Sequence, residues 1–274
     1  MMPRRWFTSK GASGRLFLCL LLFSCTAHAR QTSADCSASH FSETTKVRSI
    51  TDGDTLRLQD GRKLRLIGIN TPELAHDGRP AEAYASDAKT ALAQLFKDSK
   101  TIRLLHGIEE KDRYGRTLAH AFLEDGRNVQ TQLLRQGMAL SIALPPNTRL
   151  ADCYSRQEKI ARCEKAGIWR GKAVISTGDL TSKFKGFALI KGKIRSININ
   201  RKGIWLNMDN RLTIGVRPDN RELFDLDKLG EMLNQVVVVR GWVNHSTRKK
   251  YPNPFYIRVR HPSSLQDWGA FGCR

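Results

Sequence analysis

The sequence lacks an apolar stretch able to cross a bilayer: the run Leu16 to Phe23 falls well short of the about 20 residues a spanning helix needs. It is also short of acids. Against 46 Lys plus Arg stand only 26 Asp plus Glu, a formal charge of +20. That excess favours polyanionic partners, nucleic acid first and an anionic membrane surface second, through counterion release and steering. Cysteine is sparse and too irregularly spaced to suggest a metal site. His76, His106 and His120 are scattered along the chain and read as surface or packing residues more readily than as ligands.

What is present begins with a leader. Arg4, Arg5, Lys10 and Arg15 precede the short apolar core, and Ala27-His28-Ala29 follows it as a small-residue cleavage site. Residues 1–29 thus read as a secretory signal, which makes the mature chain secreted or periplasmic. A rival reading, a lipoprotein signal acylated at Cys25, is disfavoured by the bulk of Phe23. The leader carries four basic residues and no acid, so +16 remains for residues 30–274. Export also changes the meaning of the remaining cysteines, Cys36, Cys153, Cys163 and Cys273, an even number in an oxidising compartment. Cys153 and Cys163 fall on one expected helix, about 15 Å apart, beyond the about 7 Å a disulfide spans. The preferred pairing is Cys36 with Cys153 and Cys163 with Cys273.

The chemistry concentrates in two neighbouring stretches. Thr51-Asp52-Gly53-Asp54-Thr55 leads into alternating Leu56 and Leu58, Asp60-Gly61 supplies a tight turn, and Leu64, Leu66 and Ile69 resume the apolar pattern through Arg65-Leu66-Ile67-Gly68-Ile69-Asn70-Thr71-Pro72-Glu73. A hairpin would bring Asp54 and the Arg65 to Glu73 run together. Such a set suits hydrolysis of a phosphate ester, because a hard cation takes oxygen ligands, a phosphate takes a guanidinium fork, and an attacking water needs a carboxylate. A second basic turn follows at Lys111-Asp112-Arg113-Tyr114-Gly115-Arg116.

In this order, with Leu-Leu-Arg-Gln-Gly at 133–137, the motifs resemble the thermonuclease (staphylococcal nuclease) family from about Val47 to Trp169. The resemblance implies an OB-type barrel with three helices. It also implies a calcium ion, Ca2+, held at Asp54, at position 70 and by the Thr71 carbonyl, phosphate clamps at Arg65 and Arg116, and a water-activating carboxylate at Glu73. Arg113 and Tyr114 would contact substrate. Two departures stand out: position 70 is Asn where the family has Asp, and Ile142 and Leu144 stand where its best-known member places two tyrosines against the nucleotide.

The remaining pattern fits a mainly β chain with helices, in two barrels. A helix is expected from Pro80 to about Lys97 with Ala88, Leu92, Leu95 and Phe96 on one side, then strands at Thr101–Leu105 and Leu118–Leu123. Asn128 caps a second helix with Val129, Leu133 and Leu134 inward, and a third runs from about Leu150 to Ala166 with Ile160 and Ile168 as core contacts. After a 30–46 segment, residues 47–170 form the nuclease-like part and 171–182 a looser linker. Residues 183–274 read as strand, strand, strand, helix, strand, strand, the layout of a second OB-like barrel. This tail holds eighteen Lys plus Arg against seven acids. Lys191, Lys193 and Arg195 alternate on one strand and Arg258 and Arg260 on another, with Trp205, Trp242 and Tyr256 as stacking faces, so the tail is expected to bind nucleic acid. The bland alternative makes these charges a solvated sheet face and the rings core.

The combined expectation is a secreted, calcium-dependent nuclease acting on DNA, RNA or both. Two other classes compete: a nucleic-acid-binding protein whose metal site Asn70 has disabled, and an envelope protein that holds anionic polymers by charge.

Overall fold

The structure, a computed structural model, describes residues 36–75, 78–246 and 253–273. The expected leader, with Cys25, and His76 lie outside the described residues. Among those described, no helix is long and apolar enough to cross a membrane.

Strands β1 (Glu43–Ile50), β2 (Thr55–Leu58) and β3 (Lys63–Leu66) are followed by the two-residue β4 (Ile69–Asn70), helix α1 (Ala85–Leu95), and strands β5 (Thr101–Lys111) and β6 (Thr117–Phe122). Helix α2 (Val129–Arg135), the short β7 (Leu140–Ser141) and helix α3 (Ala151–Cys163) complete this part. The five longer strands close into a barrel in the order β1-β2-β3-β6-β5, with β5 pairing back onto β1 and β3 running parallel to β6. Period-two alternation turns Leu56, Leu58, Leu64, Leu66, Ile102, Leu104, Ala119 and Ala121 inward, and all are fully buried. The expected α2 is present: the Asn128 side chain accepts from the Thr131 amide at 2.9 Å, and Val129, Leu133 and Leu134 face the core.

Two helices depart from the sequence pattern. Helix α1 begins at Ala85, not Pro80, because Tyr84 adopts a left-handed φ of 68° that a helix cannot contain. On α3 the inward face is Tyr154, Gln157, Glu158 and Ala161, while Ile160 is only half-buried. The pattern hid this face because two of its four members are polar, and it meets a second barrel.

That barrel uses β8 (Val174–Ser176), β9 (Gly186–Asn200), β10 (Gly203–Met208), β11 (Leu212–Val216), helix α4 (Leu226–Glu231), β12 (Val236–His245), β13 (Phe255–Val259), β14 (Leu265–Asp267) and helix α5 (Trp268–Phe271). Its ring is β9-β10-β11-β13-β12, closed by β12 on β9, with β11 parallel to β13. The two rings therefore share one strand order, the second built around Ile190, Ile204, Leu206, Ile214, Val237 and Ile257. The expected loose stretch at 171–182 is instead regular. Strand β8 pairs with β9, Leu180 is buried, and the Arg211 guanidinium donates to the carbonyls of Thr177 and Leu180 at 3.0 and 2.7 Å.

The barrels are joined in three ways. Trp169 and Ala161 pack with Leu189, Val238 and Phe271. One disulfide, Cys163–Cys273, ties the end of α3 to the segment after α5, while the other, Cys36–Cys153, lies within the first barrel's part. Between them lies a buried ion pair, Glu158 with Arg240, at 2.7 and 2.9 Å through both guanidinium Nη atoms. Burial alone would push the Glu158 carboxyl up. The Arg240 charge and hydrogen bonds, the Ser141 amide and Arg162 outweigh it and hold the carboxyl below its ordinary range.

Candidate active site

The loop Asp52-Gly53-Asp54 is pinned by close packing. A Cβ on Gly53 would fall 2.7 Å from Thr71 Oγ1 and 2.8 Å from Ala88 Cβ, so only glycine lets this loop lie against the Thr71 turn and α1. Asp54 is the junction. Its Oδ2 accepts from the Thr71 amide at 3.1 Å and pairs with Arg65 Nη2 at 3.0 Å, and its Oδ1 accepts from the Thr55 hydroxyl at 3.1 Å. Arg65 also donates from Nη1 to the Leu66 carbonyl at 2.6 Å, which fixes the plane of its fork. The buried Asn70 places its Nδ2 3.5 Å from the Thr71 carbonyl.

Glu73 follows this turn on an exposed segment. Its amide donates to Glu82 Oε2 at 3.0 Å and its carbonyl accepts from the Glu82 amide at 2.9 Å, so the segment is clipped at both backbone groups. The Glu73 carboxyl is pushed above its ordinary value by partial burial, then by the charges of Asp54, Asp52 and Glu82, with Arg65 opposing. Asp52 is raised too, by burial and by Asp54. Glu73 thus meets the charges of three other carboxylates against a single guanidinium. Among the described residues no three of His, Cys, Asp and Glu meet as a ready metal cluster. Asp54 and Asn70 instead meet at the Thr71 backbone, Asp54 Oδ2 at its amide and Asn70 through the amide nitrogen at its carbonyl.

The basic turn arrives from the β5–β6 connection. Gly115, at φ 75°, closes the turn, and Asp112 organises it by accepting from the amides of Tyr114 and Arg116 at 2.9 and 3.0 Å and from Arg116 Nε at 2.7 Å. Burial pushes the Asp112 carboxyl up, but the Arg116 side chain and those amides hold it below its usual range. Arg116 and Arg65 both line one cleft of about 870 Å³. Tyr114 is 68 % exposed beside them, with the Arg113 guanidinium 4.7 Å from its ring centre.

The cleft divides the residues expected to bind. Arg113, Tyr114, Arg258 and Arg260 line it with Arg65 and Arg116. Lys191, Lys193 and Arg195 do not: Lys191 lies 3.6 Å over the Trp268 ring, the Lys193 amide donates to Asp209, and Arg195 pairs with Asp209 at 3.4 Å. Of the three candidate stacking rings, Trp242 and Tyr256 face the cleft and Trp205 is not among its lining. His120 is a packing residue, buried with its Nδ1 2.8 Å from the Tyr154 hydroxyl. Reading along the chain missed Asp112 as the anchor of Arg116 and Glu82 as the clip on Glu73. A carboxylate four residues before an arginine, across a Gly turn, was the signal for the first.

This clamp of two arginines beside an acidic loop is matched by kinship. Residues 63–171 fit the model of the family described as staphylococcal nuclease homologue. A thermonuclease of Staphylococcus hyicus is 34 % identical over 131 residues, covering 46 % of this chain and 76 % of that protein. The chain belongs to the staphylococcal nuclease family. A thermonuclease of Staphylococcus intermedius is 32 % identical, covering 45 % of this chain and 74 % of its own length. The endonuclease YncB of Bacillus subtilis is 31 % identical, covering 43 % and 57 %. The family match and these thermonuclease and endonuclease relatives make the chain a nuclease, a hydrolase of phosphodiester bonds. The second barrel lies beyond the residues that the family model matches.

Proposed function

We propose that the chain is an exported, divalent-cation-dependent nuclease that cleaves DNA, RNA or both by attack of water on the phosphodiester. The observation that carries this reading is that Arg65, on β3, and Arg116, on the turn before β6, line one cleft and that Arg65 pairs with Asp54 at 3.0 Å, while Asp52, Asp54 and Glu73 are not themselves in its lining. Arg65 and Arg116 neutralise charge that grows on the phosphate oxygens as the transition state forms, and loss of one such donor typically lowers rate about 100-fold or more. Glu73 orients the attacking water and accepts its proton, a role favoured by a carboxyl pushed above its ordinary value.

The donor set suits a hard cation such as Ca2+: a carboxylate at Asp54, an amide oxygen at Asn70 and the Thr71 carbonyl, in a loop with excess negative charge. Turning the Asn70 amide over would set its oxygen beside the Thr71 carbonyl, a pair of acceptors that a hard cation can bridge. When bound, such an ion supplies Lewis-acid polarisation of the phosphate. Export is supported by the leader and by the two disulfides, which persist in oxidising compartments.

A second reading, binding without cleavage, is favoured by one feature. Asp54 already receives a hydroxyl, an amide and a guanidinium, so its charge is compensated by the protein alone. Incubating labelled DNA and RNA with the full chain across a calcium titration, with a chelator control, separates the two. Calcium-dependent fragments support the nuclease; retention of nucleic acid with no fragments at any concentration supports the binder.

A further inference from the structure

The family's arginine clamp stands on one wall of a cleft whose other wall belongs to the second barrel. On the clamp side the lining includes the ringless Ile142, Ala143 and Leu144, and its one aromatic ring, Tyr114, is taken up by the guanidiniums of Arg113 and Arg116 at 4.7 and 5.6 Å from its centre. Opposite stand Phe187, Trp242 and Tyr256. Trp242 is 44 % exposed and braced edge-on by Phe187 at 5.0 Å, and Tyr256 lies against Trp205 at 6.5 Å. The second barrel therefore brings aromatic faces to a groove whose first wall carries the Arg65 and Arg116 clamp.

The cations continue across it. Arg258 and Arg260 follow Tyr256 on β13 and its exit, and line the same cleft as Arg113 and Arg116. The nearest acid is Asp219, which pairs with Arg258 at 3.0 Å; Arg258 Nε has no hydrogen-bond partner among the described residues. The charges of the two barrels feel one another. Arg260 is pushed below the ordinary arginine value by burial, then by Arg258, with further repulsion from Arg217 and from Arg113 of the first barrel, against Asp219 alone. A chain of phosphates laid along these groups would relieve that repulsion.

We infer that the two barrels form one groove for a single strand of nucleic acid, with phosphates on Arg65, Arg116, Arg258 and Arg260 and bases stacked on Trp242 and Tyr256. A single strand is the occupant because a duplex has both faces of each internal base already stacked, whereas an unpaired base offers a π-face to an aromatic ring. The groove is built before substrate arrives. Arg240, two residues before Trp242 on β12, is locked to Glu158 of the first barrel, and the Cys163–Cys273 disulfide ties α3 to the segment after α5. The inference rests on the nuclease reading for the position of the scissile phosphate, and on the cleft alone for the strand.

The test is fluorescence anisotropy with the full chain in chelator, so that binding is read without turnover. Probes are labelled oligo-dT and oligo-rU of about twelve nucleotides, the length scale of strands held by such barrels, a duplex of equal length, and a dinucleotide. The expected order is single strand above duplex, with the DNA and RNA arms showing which sugar is preferred. Trp242→Ala lowers affinity for the long single strand about tenfold and leaves the dinucleotide little affected, and Trp242→Phe restores most of the loss. Arg258→Ala with Arg260→Ala reduces the slope of log affinity against log salt by about 1.4, from about 0.7 for each phosphate contact. Unchanged affinity in Trp242→Ala with an unchanged slope in the arginine variant overturns the groove, as does a duplex bound as tightly as the single strand. Should Trp242→Ala unfold, the arginine slope and the single-strand preference of the wild type decide alone. A wild type that never cleaves but shows these losses would sink the nuclease and keep the groove; one that cleaves without them would do the reverse.

Discussion

Replacing Arg240 by Leu should loosen the whole molecule, because it strands a carboxylate in the interface. Glu158 is fully buried and accepts five hydrogen bonds: two from Arg240, two from Ser141 and one from Arg162 at 3.1 Å. The leucine side chain would remove two of these and leave the Ser141 carbonyl without its guanidinium donor at 2.8 Å. Bonds to charged groups are worth about 1.5–3 kcal/mol each, and breaking a buried pair costs about 3–5 kcal/mol. Arg162 remains as a partial partner, so the low end applies: about 3 kcal/mol, or about 6–12 °C in Tm for a chain of this size. The pH dependence has a definite sign. In the wild type the folded Glu158 value lies below the unfolded one, so its contribution is present above the ordinary carboxylate range and is lost as pH falls through the folded value. In Arg240→Leu burial wins, the value rises above the unfolded one, and the variant gains stability as pH falls. Urea unfolding at about pH 7.5 and 5 should therefore show the gap between the two proteins narrowing at the lower pH, and Arg240→Leu combined with Glu158→Gln should recover most of the loss. A single variant within about 1 kcal/mol of wild type, or a double no better than the single, refutes the argument.

Asn70→Asp adds a full negative charge to the oxygen set at Asp54 and Thr71, and calcium titration of the cleavage rate should give a lower half-maximal concentration than wild type. His120 is kept neutral, its pKa lowered to about 4 by burial and then by Arg149, against an unfolded value of about 6.5. Stability should fall by about 3 kcal/mol as pH drops from about 6.5 to 4, and His120→Gln should flatten that stretch of the urea-midpoint profile. Opening the Cys163–Cys273 bridge by Cys163→Ser with Cys273→Ser frees a loop of 110 residues and should lower stability by up to about 4.7 kcal/mol, read by the same melts.

The site was legible where its chemistry is local. Asp54, Arg65, Asn70, Thr71 and Glu73 lie within one hairpin and its exit, and Arg116 ends one basic turn, so the motifs named these candidates, while the hold of Asp112 on Arg116 was missed. The succession of strands and helices along both barrels was largely legible, since period-two runs punctuated by turns mark most strands, but which strands neighbour one another was not. The start of α1 was hidden because Tyr84 carries no sign of a left-handed φ. Glu158 and Arg240 are 82 residues apart and read singly as surface charges. For the same reason the basic tail read as one binding surface. Only closure of the barrel separates Lys191, Lys193 and Arg195, on strand β9 away from the cleft lining, from Arg258 and Arg260, whose strand leads into it.

The most direct test of the nuclease account sets turnover against affinity in Glu73→Gln and Arg116→Ala, on one labelled single strand with saturating calcium for rate and chelator for binding. Both groups act on the transition state more than on bound substrate, so the account predicts that each variant loses about 100-fold or more in turnover while its affinity stays near that of wild type. Equal losses in rate and affinity, or turnover within a few-fold of wild type in both variants, would contradict it.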